Sequence, residues 1–283
     1  MTTPVIWMNG RMTPAADARV SIFDHGLLYG DGVFEGIRFY GRRPFRLDPH
    51  LERLERSAAV IDLTLPYTRT ELAEAMRAVI TAFADDDGYL RLVVTRGEGD
   101  LGLDPRSCRR ATVFVAAAHV RVFADAAQGV PVVVARTRQA PLDALDPRIK
   151  SLNYLNRIMA KLEASRAGAA EAIMLNHAGR IAEGTADNLF VVRAGALLTP
   201  PATDGALEGI TREVILEVAA SLGIAAREQS LGAYDLVTAD EAFLSGTGAG
   251  IVAIRSVDGR HLAACPGPVF RRIDEEFARL VRG

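Results

Sequence analysis

Asp146-Pro-Arg-Ile-Lys-Ser-Leu-Asn-Tyr-Leu-Asn-Arg157 is the stretch from which the rest of the chain is best read, with Lys150 at its centre. Of 33 lysines and arginines in the sequence, lysine stands only at positions 150 and 161. Arginine keeps its proton and cannot serve as an amine nucleophile, whereas a desolvated lysine can. Any Schiff-base chemistry therefore falls to one of these two side chains. Lys161 lies in a helical pattern whose apolar stripe is Leu155, Ile158, Met159 and Leu162. It is off that stripe and beside Glu163, so it reads as a solvated surface lysine. Lys150 precedes that helix, follows a Pro-containing turn, and is flanked by Ile149 and Leu152, which can desolvate it. Taken alone it reads equally well as a surface lysine.

The 283 residues, 49% hydrophobic, suffice for one large core or two smaller ones. A net charge of −2 and the lack of a basic stripe argue against a nucleic-acid or anionic-membrane partner. The opening residues carry no signal-peptide pattern, and no apolar run reaches membrane-spanning length. Cys108 and Cys265 have no metal-ligand spacing and read as reduced thiols, so no metal and a cytoplasmic location are expected.

Val5–Gly10 predicts a strand ending in an Asn-Gly turn, and Val20–Phe23 another short strand. In Tyr29-Gly-Asp-Gly-Val-Phe-Glu-Gly-Ile-Arg38 three glycines permit a close backbone approach, or simply a twisted hairpin. Asp48-Pro49 predicts a helix start with Asp48 as cap; Leu51, Leu54, Ala58 and Ile61 form its apolar face, with Arg53 at the edge. Thr68 and Glu71 have capping-box spacing ahead of a second helix. Alternation in Tyr89–Thr95 sets Tyr89 and Arg91 on one face and Leu90, Leu92 and Val94 on the other. A phenol and a guanidinium side by side suit a carboxylate, or an open wet sheet face. Residues 111–118 predict a buried strand, and 120–130 lose periodicity as a linker. From Pro131 short strands and helices alternate to a last helix at Val269–Val281. The pattern is an α/β chain of α+β character with mixed and antiparallel sheets: a small domain at 1–119 and a larger one at 131–283.

Two segments suit anions. Leu207-Glu-Gly-Ile-Thr-Arg212 puts a glycine, free N–H groups and a hydroxyl at a helix start, which is a phosphate cradle or an ordinary Thr-capped helix. Ser245-Gly-Thr-Gly-Ala-Gly250 is glycine-rich, but a strand pattern follows it rather than the helix a dinucleotide turn needs. Glu183, ahead of the apolar Asn188–Val192 run, is a turn acid or a partner for a protonated ring nitrogen.

Together these segments resemble the class IV, fold-type IV aminotransferases that use pyridoxal phosphate, and within them the branched-chain amino-acid aminotransferases. The resemblance runs through Gly32-Val-Phe-Glu-Gly-Ile-Arg38, His50-Leu-Glu-Arg-Leu54, Tyr89-Leu-Arg91, Thr95-Arg-Gly97, Leu101-Gly-Leu-Asp-Pro105, Lys150-Ser-Leu-Asn-Tyr154, Glu183–Phe190, Gly209-Ile-Thr-Arg212 and Ser245-Gly-Thr247. It implies a two-domain fold in which 131–283 binds the cofactor, and transamination between branched-chain L-amino acids and 2-oxoglutarate by a ping-pong route. Lys150 is then the catalytic Schiff-base lysine, and Glu183 the partner of the pyridine nitrogen. Tyr154 serves the ring hydroxyl oxygen, and Arg53, Ile210, Thr211 and Thr247 the phosphate. Tyr89 and Gly248 receive the α-carboxylate, and Arg91, with Tyr29 from a neighbouring subunit, the glutamate side chain. Val33, Phe34 and Gly36 line the apolar side-chain pocket, and Arg38 at the end of that run is a further substrate-binding residue. A homodimer or larger assembly is implied, with amino acids and 2-oxo acids as the partners. One departure is Gly246-Thr-Gly-Ala-Gly250, where the family usually carries Gly-Thr-Ala-Ala-Glu. The alternatives are a D-amino-acid or (R)-amine transaminase, aminodeoxychorismate lyase, and a non-enzymatic binding protein of the same fold. The loop Glu98–Asp104 lacks the Arg-x-His pair typical of the D-amino-acid enzymes.

Overall fold

The alternation at Tyr89–Thr95 becomes the centre of a six-stranded antiparallel sheet. Our computed structural model describes residues 5–120, 123 and 126–283. The chain forms two units: Met1–Val120 with Ile149–Asn153, and Arg121–Arg148 with Tyr154–Gly283. The expected linker, 120–130, lies partly outside the described residues.

The first unit contains β1 (Val5–Met8), β2 (Arg11–Thr13), α1 (His25–Tyr29), β3 (Gly32–Tyr40) and β4 (Arg43–Pro44). It continues with α2 (Leu47–Val60), α3 (Arg69–Ala82), β5 (Gly88–Thr95) and β6 (Thr112–Ala118). The strand order is β2-β1-β6-β5-β3-β4. Asn9 and Gly10 take positive φ in the two-residue turn between β1 and β2, as their sequence anticipates. One sheet face buries Val33, Ile37, Phe39, Leu90, Leu92, Val94, Val113 and Val115 with Leu51, Leu54, Leu72 and Met76 of the two helices. By strand parity Phe34, Gly36 and Arg38 share the other face with Tyr89, Arg91 and Val93, and Gly36 pairs with Arg91 across the ladder.

Two expectations fail here. Val20–Phe23 is not a strand; only Asp24 makes a single bridge, to Glu98. Asp48 is not the α2 cap. Phe45 N–H bonds Arg38 O, Arg46 takes a left-handed φ of 53°, and the helix starts at Leu47, leaving Asp48 and Pro49 inside its first turn. Thr68 and Glu71 do form the capping box of α3.

β4 pairs with β3 only at Phe39 and Tyr40, so the other end of β3 has an open edge. The segment carrying Lys150 fills it. Phe34 N donates to Lys150 O at 3.0 Å, Leu152 N donates to Gly32 O at 2.9 Å, and Val33 bridges Ser151. Lys150 N donates to Ser57 Oγ of α2 at 3.1 Å.

The second unit contains β7 (Val130–Val134), α4 (Leu155–Arg166), β8 (Glu171–Leu175), β9 (Ile181–Glu183), β10 (Asn188–Arg193) and β11 (Ala196–Thr199). Then come α5 (Ile210–Ser221), β12 (Ala226–Glu228), α6 (Ala233–Val237), β13 (Glu241–Gly246), β14 (Gly250–Val257), β15 (Arg260–His261) and α7 (Pro268–Arg282). Its sheet runs β12-β11-β10-β13-β14-β7-β8-β9, with β15 beside β14. The sheet is mixed: β7 is parallel to β14 and β8, while β13 is antiparallel to β10 and β14.

α4 reverses the sequence expectation. Leu155, Ile158, Met159 and Leu162 are exposed, and the buried face is Arg157, Ala160 and Ala164. The small alanines allow a close approach to Ala172 and Met174 of β8, so the bulky stripe turns outward. Lys161 is exposed, as expected of a surface lysine, and its Nζ donates to buried Glu171 at 2.8 Å. Among the described residues no helix is long and apolar enough to cross a membrane, and no cluster suits a metal ion.

Candidate active site

Each unit gathers its own set of the residues singled out in the sequence. In the first, Lys150 Nζ lies 4.7 Å from the Phe34 ring centroid, and Arg91 Cζ lies 4.6 Å from the same centroid. Arg91 also donates to Tyr89 Oη at 3.1 Å. Two cations against one aromatic ring, with a phenol alongside, form a positive, partly apolar surface that attracts carboxylates. Gly36 makes this possible: a Cβ there would collide with Tyr89 Oη, so any larger residue displaces the phenol. Arg38 lies over Tyr40, and its buried Nε has no hydrogen-bond partner among the described residues. Tyr29 donates its hydroxyl to Leu101 O, which ties α1 to the Leu101–Pro105 loop.

On the other face of β3 a charge cluster sits in the core. Glu35 is fully buried and accepts from Arg53 Nε at 2.7 Å, Arg53 Nη2 at 2.8 Å and His50 Nδ1 at 2.7 Å. Arg53 is therefore buried, not at an exposed helix edge. Burial alone would raise the Glu35 pKa, but the Arg53 charge and hydrogen bonds from Arg53 and His50 outweigh it and hold it at about 2. Burial lowers the His50 pKa, with Arg53 and Lys150 adding to the effect against the opposing pull of Glu35.

In the second unit Glu183 is buried at the end of β9 and has four donors. Oε1 accepts from Arg157 Nη2 at 2.6 Å and Gln139 Nε2 at 3.1 Å. Oε2 accepts from Leu207 N at 3.1 Å and Asn188 Nδ2 at 3.3 Å. Arg157 Cζ lies 5.1 Å from the Tyr154 ring centroid. Burial works against the Arg157 charge, but Glu183, Tyr154 and Glu171 more than offset it and raise its pKa.

Asn188 also donates to Leu207 O at 2.9 Å and leaves room only for glycine at 209, where a Cβ would collide with Asn188 Oδ1. The approach to α5 is thus fastened to the Glu183 carboxylate. The N-cap of α5 is Gly209, with no side-chain cap; Thr211 lies in the first turn rather than at the cap. An uncapped helix start leaves N–H donors for an anion. α5 packs against β13, where Ser245 Oγ is buried without a hydrogen-bond partner among the described residues. Thr247, Gly248 and Ala249 form the turn between β13 and β14. A buried acid held by four donors fits a pyridinium nitrogen once its weakest donor yields, and the uncapped helix start tied to it fits a phosphate.

Glu35, Arg157, Glu171 and Ser245 carry no assigned role in the sequence reading. Parity in β3 could have flagged Glu35, which shares the register of core residues Val33, Ile37 and Phe39. The small Ala160 and Ala164, at i+3 and i+7 from Arg157, mark the packed face of α4.

The profile of the amino-transferase class IV family matches residues 32–257. Branched-chain-amino-acid aminotransferase of Escherichia coli strain K12 is 38% identical over 288 residues, covering 98% of this chain and 93% of the relative. The crystal structure of branched-chain aminotransferase from Thermoproteus uzoniensis with norvaline superposes with a TM-score of 0.93 at 40% identity, covering 99% of this chain and 95% of that one. That of branched-chain amino acid aminotransferase from Thermobaculum terrenum, in its PLP-bound holo-form, gives 0.89 at 30% identity, covering 100% and 95%.

Proposed function

Because the chain belongs to the class IV aminotransferases, we propose that it moves the amino group of branched-chain L-amino acids to 2-oxoglutarate by a ping-pong route. It is a pyridoxal-phosphate-dependent aminotransferase. When bound, the cofactor supplies an aldehyde for amines and a ring that accepts the electron pair left at the substrate Cα. Lys150 holds the cofactor covalently through Nζ and moves the Cα proton. Glu183 would hold the ring nitrogen and keep a proton there, and Tyr154 would serve the ring hydroxyl oxygen. Ile210 and Thr211 at the uncapped start of α5, together with Thr247 and Arg53, take the phosphate. Tyr89 and Gly248 receive the α-carboxylate.

One observation carries the substrate choice: the Phe34 ring has Lys150 at 4.7 Å and Arg91 at 4.6 Å from its centroid, and Gly36 leaves the room that the Tyr89 phenol occupies beside it. An apolar wall bordered by a fixed cation suits a leucine-like side chain in one half-reaction and a glutamate-like one in the other. The test is to mix the loaded protein separately with L-leucine, L-glutamate, D-alanine and (R)-1-phenylethylamine and follow the visible band. Loss with both L-acids alone is the expected result. Bleaching mainly by D-alanine or the amine would transfer the protein to the D-amino-acid or (R)-amine group. Arg91→Met should lower kcat/KM for glutamate about 10- to 100-fold, the value of one charge-assisted hydrogen bond, and change leucine turnover less than about threefold. Equal losses for both substrates would count against the role given to Arg91.

The same reading includes at least a dimer, with Tyr29 offered to a neighbouring subunit, and a cytoplasmic location, for which the free thiols Cys108 and Cys265 speak. The outward stripe of α4, with Leu155 70% and Ile158 53% exposed, supports self-association. Light scattering that gave only the 30.4 kDa monomer mass would exclude it.

A further inference from the structure

A carboxylate offers about four acceptor directions, and in Glu183 all four are taken. A ring N–H can therefore be accepted only if one donor yields. The longest of the four contacts, Asn188 Nδ2 at 3.3 Å, belongs to a donor that also bonds Leu207 O. The shortest, Arg157 at 2.6 Å, is the one charged donor and comes from a buried side chain.

Arg157 is anchored beyond Glu183. Its second arm donates from Nη1 to Thr185 O at 3.2 Å. Thr185 is held in turn by Glu171 Oε1, which accepts from the Thr185 hydroxyl at 2.6 Å and its N–H at 3.2 Å. Glu171 Oε2 takes Lys161 Nζ at 2.8 Å. A chain of ionic and neutral hydrogen bonds thus runs from the outer side of α4, through the Gly184–Thr185 turn, to the acid. The planar fork of an arginine can span two acceptors in this way, and an ammonium cannot reproduce it.

We propose that Arg157 is a positioning residue for the cofactor ring: one arm fixes the Glu183 carboxylate, the other fixes the Gly184–Thr185 turn, and the guanidinium lies over Tyr154. The inference rests on the reading that Glu183 faces the ring nitrogen. Arg157 orients the carboxylate so that the ring N–H displaces the weakest donor, and its fixed charge opposes further positive charge on the ring.

The test uses Arg157→Met and Arg157→Lys and reads three quantities. These are the dissociation constant of pyridoxal phosphate from the apo-protein, the pH midpoint of the visible band of the loaded protein, and the apo-protein melting temperature. Arg157→Met should weaken cofactor binding about 10- to 100-fold and move the midpoint to higher pH, because a neighbouring cation is gone. Arg157→Lys keeps the charge but loses the fork, so the midpoint should stay near that of the parent while binding weakens about tenfold. Parent-like cofactor binding in Arg157→Lys overturns the forked bridge, whatever happens to the melting temperature. If Arg157→Met does not fold, binding by Arg157→Lys decides alone. Glu183→Gln run in parallel separates the two levels. If it leaves the dissociation constant and the midpoint unmoved, the placement of Glu183 has failed; if it moves them while both Arg157 variants do not, only the present inference has.

Discussion

Lys150→Ala is expected to lower transamination of L-leucine by at least about 10⁴-fold and to leave the fold intact. The loss combines a covalent anchor with a general base, and a positioned base alone contributes about 10²- to 10⁴-fold. No second lysine can substitute, since Lys161 is committed to Glu171 and Ala170 O. The fold should survive because the contacts that hold residue 150 in place are main-chain ones: its N–H to Ser57 Oγ and its carbonyl from Phe34 N. Alanine keeps both. What is lost is the contact with the Phe34 ring, worth about 0.5–2 kcal/mol. Single-turnover rates with L-leucine, beside a melting curve, check both halves. A well-folded Lys150→Ala protein retaining about 1% of parent turnover would end the proposed mechanism.

Glu35→Gln should be the most destabilising of the conservative changes considered, costing about 3–5 kcal/mol. The amide keeps the shape but removes the charge facing Arg53, which is itself buried at 3% exposure. Urea unfolding of the apo-protein at neutral pH measures it, and a difference under about 1 kcal/mol would refute the account. The pH dependence supplies a second check. The folded pKa of Glu35, about 2, lies below its ordinary 4.5, so its stabilisation is complete above about pH 4.5 and is lost as pH falls toward 2. His50, a base whose pKa is lowered on burial, also destabilises the fold when acidification forces a proton onto it. The parent should therefore be acid-labile, and the gap between parent and Glu35→Gln should narrow below about pH 4.5.

Much of this is legible in the sequence where local rules and burial agree. The Tyr89–Thr95 alternation, the Asn9-Gly10 turn and the Thr68–Glu71 capping box all form as written, because each depends on residues close along the chain. The glycine-rich segment before Ile251 leads into strand β14, as the missing helix pattern required. The failures share a different cause. α4 runs against its pattern because hydrophobicity ranks Leu155 and Ile158 above Ala160 and Ala164, whereas packing against β8 rewards smallness. Arg53 reads as an edge residue because its partner Glu35 lies 18 positions earlier on another element. Ala160 and Ala164 mark the packed face on which Arg157 lies, but its role gives no local signal because its partner Glu183 lies 26 positions on. Pairings of that range are set by tertiary structure, which no local pattern contains.

The edge of β3 has a consequence for how the chain can be divided. Ile149–Asn153 leave the first unit's strands by sequence yet complete them in space, supplying the hydrogen-bond partners of Gly32 and Phe34. A fragment ending near residue 120 would keep its core but present those groups as a bare strand edge, a template for aggregation. A fragment beginning near residue 126 would carry the lysine on a peptide with nothing to hold it. Lys150, the proposed Schiff-base residue, is thus held by an intramolecular form of strand addition. Gene fission at the boundary between the units would separate Lys150 from the strand that holds its segment, so the two halves are expected to be inherited, and to fold, as one chain.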